Sequence, residues 1–118
     1  MKAFTAGLLA LSLFVHVFTP ARAADQVDKN LTDQISAILR ESGKITSGTT
    51  RAELLKVFTT EGGLSTAAHR TFVHRRCPYI KVDVEFTPSS PKQSAVDERP
   101  NDTVKTISKP YLAWSIED

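Results

Sequence analysis

Tyr79-Ile80-Lys81-Val82-Asp83-Val84-Glu85-Phe86 is the stretch on which the fold turns. Ile80, Val82, Val84 and Phe86 alternate with Lys81, Asp83 and Glu85, a period of two that suits a strand with one buried and one wet face. Just upstream, residues 70–74 (Arg-Thr-Phe-Val-His) have the β-branched and aromatic content of a second strand. The connection Arg75-Arg76-Cys77-Pro78 is short, which favours antiparallel pairing of the two. Downstream, residues 103–108 (Thr-Val-Lys-Thr-Ile-Ser) read as a third strand stopped at Lys109-Pro110. Tyr111, Leu112, Trp114 and Ile116 follow as an apolar tail expected to pack back on the sheet. Residues 87–102 carry Pro88, Pro91 and Pro100 among polar side chains and are expected to form a mobile loop.

Before the strands the period is helical. Val27, Leu31, Ile35, Ile38 and Leu39 recur at helix spacing, with Asp28, Lys29, Gln34, Arg40 and Glu41 turned elsewhere. Gly43 stands where a left-handed cap ends such a helix. A turn over residues 45–49 leads into Thr50-Arg51-Ala52-Glu53, a capping box that opens a second helix running to about Phe58. Glu61-Gly62-Gly63 ends it, and this glycine pair lacks the Lys-Ser/Thr of a phosphate loop. The expected fold is α+β: two N-terminal helices packed on a small antiparallel three-stranded sheet, in two layers and in the order ααβββ.

The beginning of the chain has the parts of an export signal. Lys2 supplies the positive charge, an apolar run covers residues 6–18, and Thr19-Pro20 precedes Ala21-Arg22-Ala23. Residues 1–23 are therefore expected to be a cleavable signal peptide cut between Ala23 and Ala24. Residues 24–118 would be one domain. The run is shorter than a membrane span and His16 interrupts it, so no transmembrane segment is expected after cleavage. No cysteine follows the cleavage site, which points to a soluble periplasmic or secreted protein without a lipid anchor.

The chain carries 15 basic and 13 acidic side chains. Loss of Lys2 and Arg22 with the signal leaves 13 of each, so a general nucleic-acid surface is not expected. With Cys77 the one cysteine, no disulfide closes within the chain.

The stretch Ile45-Thr46-Ser47-Gly48-Thr49-Thr50-Arg51-Ala52-Glu53-Leu54-Leu55-Lys56-Val57-Phe58 resembles the opening motif of the BamE-like (SmpA/OmlA) family of small bacterial envelope proteins. That resemblance implies two helices on a three-stranded antiparallel sheet. It also implies a role in outer-membrane protein assembly, or binding of other proteins through the sheet. Glu61-Gly62-Gly63-Leu64 and Cys77-Pro78-Tyr79-Ile80-Lys81-Val82 are also similar to segments of exported bacterial proteins with no assigned activity.

The chemistry-bearing residues cluster around the strand pair. Arg70, His74, Arg75, Arg76 and Lys81 form a basic group that reads first as a solvated sheet edge discouraging edge pairing, and otherwise as a contact for an acidic partner surface. His69, His74 and Cys77 are metal-binding types, but their spacing fits no short ligand motif. Cys77 beside His74 and two arginines has the surroundings of an activated thiol, with no third orienting group in sight. A disulfide between two copies through Cys77 is the less favoured alternative to a monomer. The resulting expectation is an exported envelope protein that is not an enzyme, carries no cofactor or metal and acts by contact with another envelope protein. The alternative is a small ligand- or metal-binding periplasmic module.

Overall fold

The computed structural model describes residues 26–116; the signal segment and the Ala23–Ala24 junction lie outside the described residues. Helix α1 (Lys29–Ser42) starts at Asp28, whose carboxylate accepts the Leu31 amide at 2.9 Å. It runs out at Gly43, which stays right-handed at φ −67° rather than adopting the left-handed cap. Gly48, inside the turn that leads to the second helix, takes the left-handed region instead at φ +90°, as Gly63 does at φ +98°. Helix α2 (Arg51–Val57) opens on the capping box: Thr50 Oγ1 accepts the Glu53 amide at 3.3 Å, and Glu53 Oε2 accepts the Thr50 amide at 3.2 Å.

Five strands follow in one antiparallel sheet: β1 (Phe58–Thr60), β2 (His69–His74), β3 (Cys77–Thr87), β4 (Thr103–Ile107) and β5 (Tyr111–Leu112). The order is β1-β2-β3-β4, and β5 pairs with β3. This corrects the ααβββ expectation in two respects. First, α2 stops at Val57 and Phe58 turns extended, at φ −114° and ψ 163°, so the chain enters the sheet one residue after the helix. Three residues are too few to show a period, yet Thr59 and Thr60 are β-branched and Phe58 is fully buried edge-to-face on the His74 ring. Secondly, the tail rejoins the sheet. Thr103 faces Thr87, Ile107 faces Val84, and Tyr111 faces Lys81, so β4 and β5 trace one edge strand along β3. A register shift at Glu85/Phe86 and the Ser108-Lys109-Pro110 interruption each add one residue to that edge.

The two helices are also unequal. Leu54 of α2 lies in the core with Ile45, Phe58, Phe72, Val82, Val84, Phe86 and Val104. Helix α1 instead buries only Ile38 and Ser42 and leaves Leu31, Ile35 and Leu39 exposed, as is Val27 just before it. Its last turn is tied down by Glu41, which accepts from Arg76 at 3.0 Å and meets His74 Nε2 at 3.1 Å. The far face of the sheet is covered as well. Lys81 and Glu61 form a buried ion pair there, and Glu61 Oε1 also accepts the Ile116 amide at 3.2 Å.

Asp102 organises the long connection between β3 and β4. It is buried, and its carboxylate accepts the backbone amides of Ser89 and Arg99, each at 2.9 Å, and the Gln93 side-chain amide at 3.0 Å. Arg51 donates to it from Nε at 3.3 Å and Nη2 at 3.2 Å, with its guanidinium 3.7 Å above the Phe86 ring. Burial raises the Asp102 carboxyl's pKa, but these hydrogen bonds outweigh it and bring the group down to about 2.

Candidate functional site

The basic residues of the sequence do not share one surface. Arg70 sits opposite Val84, and its guanidinium is taken by Glu98. His74 and Arg76 converge on Glu41 at the opposite end of β2. Arg75 donates to the Leu55 carbonyl at 2.7 Å. Lys81 points to the far side of the sheet and is buried against Glu61. Strand alternation separates them: side chains one residue out of step face opposite sides, and His69 and His74 stand at opposite ends of a six-residue strand. His74 and Cys77 are register partners, with Cys77 half-buried. Among the described residues no group of three or more His, Cys, Asp or Glu side chains converges as a metal site.

His74 is neutral in this arrangement. Its Nδ1 accepts the Arg76 amide at 3.1 Å, so the proton resides on Nε2 and points at Glu41. Burial lowers its pKa, against the opposing pull of Glu41. These contacts spend the imidazole on joining α1 to the β2–β3 turn.

A different surface is open. Tyr79 at the start of β3, Leu112 of β5, Ala113 and Trp114 line a groove of about 440 Å³. Trp114 is 86 % exposed, Leu112 78 % and Tyr79 47 %. The Tyr79 and Trp114 rings meet edge-to-face with centroids 5.9 Å apart, and the Ala113 amide donates to the Tyr79 carbonyl at 3.0 Å. Residues 111–113 are laid along the sheet edge, and the tail then reaches Glu61 on the far face through the Ile116 amide, which leaves Leu112 and Trp114 turned outward. The sequence pattern reads Trp114 as a residue that covers the sheet. The available signal was the Lys109-Pro110 stop, which keeps the tail on the edge next to Tyr79. Tyr111 behaves differently: its hydroxyl donates to Asp83 at 3.1 Å, and burial raises its pKa.

Among the described residues, no helix is long and apolar enough to cross a membrane. Comparison with known proteins returned no matching family model, no similar curated protein and no similar solved structure.

Proposed function

We propose that this chain is an exported, non-enzymatic envelope protein that works by contact with another protein, through the apolar sheet end formed by Tyr79, Leu112 and Trp114. The observation that carries this reading is Trp114, an indole 86 % exposed beside a second aromatic ring and an open groove. Tryptophan and tyrosine give the largest returns when buried at protein interfaces, because each brings a wide apolar surface with few rotatable bonds. Beyond the Tyr79–Trp114 ring contact, a solvent-facing cluster of this kind adds little to the isolated domain and stabilises a complex when covered.

The test is site-directed crosslinking in the intact envelope. A photoreactive side chain at Leu112 should give a discrete adduct, lost on Trp114→Ala, while the same group at exposed Lys92 should give none. Equal adducts from both positions, or an adduct indifferent to Trp114→Ala, would overturn the assignment.

A further inference from the structure

At the end of the sheet away from Trp114, a polar groove of about 510 Å³ runs between Ser65, Thr66, Ala67 and Arg70 on one side and Val96, Asp97 and Glu98 on the other. The Ala67 amide donates to the Ala95 carbonyl at 2.7 Å and holds the two walls together. Two arginines flank this groove. Arg51 is 97 % buried behind Ala67, to whose carbonyl it donates, and the Arg70 side chain is 22 % exposed. The Glu98 carboxylate sits between them: Oε1 pairs with Arg70, and Oε2 lies 3.9 Å from Arg51 Nη1. Even so, Arg51 Nη1 and Arg70 Nε are both buried with no hydrogen-bond acceptor. A buried guanidinium N–H without an acceptor is costly, and native structures rarely leave one.

We propose that the Arg51–Arg70 pair is a carboxylate-binding site, that Glu98 is its internal occupant in the free protein, and that a small polar carboxylic acid binds by displacing Glu98. Glu98 is a suitable placeholder because its side chain is 31 % exposed and belongs to the β3–β4 connection, so it swings out without disturbing the core. The charges also select the ligand. Two arginines set against the fixed carboxylate of Asp102 leave one positive charge once Glu98 departs. A carboxylate neutralises that charge, whereas a phosphate dianion overshoots it by one negative charge beside Asp102, Asp97 being already paired with Arg99. The fork of a guanidinium matches the two oxygens of a carboxylate, and an entering acid gives Arg51 Nη1 and Arg70 Nε the acceptors that Glu98 does not. The body of the acid then lies in the groove against Ser65 and Thr66, whose hydroxyls suit polar substituents.

The experiment titrates the protein with sodium acetate against sodium chloride and sodium phosphate at matched ionic strength, following Arg70 Nε–H and the amides of Ala67, Arg70 and Val96 by NMR. An internal competitor lowers apparent affinity by the fraction of sites it leaves free. Glu98→Ala should therefore tighten acetate binding by about tenfold or more. Adding Arg70→Gln in that background should return the response to the chloride level. Chloride-like behaviour of Glu98→Ala, or acetate binding that survives Arg70→Gln, would overturn the proposal, as would phosphate binding as tightly as acetate. If Glu98→Ala does not fold, the wild-type protein decides. A saturable, acetate-specific shift of Arg70 Nε–H supports the site, and a linear shift shared with chloride refutes it.

Discussion

Replacing Asp102 with asparagine tests whether one buried carboxylate holds the β3–β4 connection to the rest of the domain. The folded carboxyl titrates at about 2 against an ordinary 3.8. Each pH unit of that gap is worth about 1.4 kcal/mol, so ionised Asp102 adds about 2 kcal/mol of stability at neutral pH. Because the folded value is the lower one, this contribution is complete above about pH 4 to 5 and drains away as pH falls towards 2. Asparagine keeps the shape but carries no charge. Its N–H₂ group must face either the Ser89 amide, in place of Oδ1, or the Arg99, Gln93 and Arg51 donors, in place of Oδ2, and the Arg51 guanidinium is left buried without its charged partner. Breaking a buried pair from one side costs about 3–5 kcal/mol. Urea melts near pH 7 should show Asp102→Asn less stable by about 3 kcal/mol, with the difference shrinking as both proteins are taken to pH 3. Limited proteolysis should cut near Lys92 or Arg99 faster in the variant. An unchanged midpoint at pH 7, or a deficit equally large at pH 3, would refute the reasoning.

Other expectations follow from single contacts. Thr50→Ala removes the acceptor for the Glu53 amide and should cost about 1 kcal/mol in a denaturant melt, since a lost N-cap of this kind has that magnitude. Burial lowers the His74 pKa, so stability should fall as pH drops below about 6.5, the unfolded value; His74→Gln should flatten that part of the profile. Mass spectrometry of the exported product should find Ala24 as its first residue, and recovery of intact Met1 would contradict the signal reading. Cys77→Ser should leave the fold intact and, in non-reducing gels of envelope material, should not alter a monomer band.

The central strands were legible because their signal is local and repeated. Ile80, Val82, Val84 and Phe86 declare a buried face without help from distant residues, and the Thr50 capping box closes within four positions. What escaped was decided by partners far away in sequence. Phe58 is a strand residue because β2 offers it an edge and His74 offers it a ring. The edge along β3 shifts register between Val104 and Leu112, so Val104 and Ile107 both turn to the core although three residues apart, a spacing no simple alternation predicts. The basic cluster looked continuous in sequence because Arg70, His74 and Lys81 lie close in number. The pleat and the strand ends then sent them to separate partners. Arg51 and Asp102, 51 residues apart, gave no sequence signal of pairing at all.

The two borders of the sheet bear on how the protein behaves in a crowded compartment. A border of unpaired backbone is a seed for fibres when it is long, flat and apolar. Here one border is β1, only three residues long. The other is sealed at its start, where Val104 exchanges amide and carbonyl with Thr49 and Gly48 at 2.8 Å, and is broken further along by exposed Lys109 and by Pro110, which has no N–H to offer. Neither border can template a copy of itself over more than a few residues. The bare tryptophan at one corner is therefore an adhesive patch of side chains and not a polymerising rail of backbone.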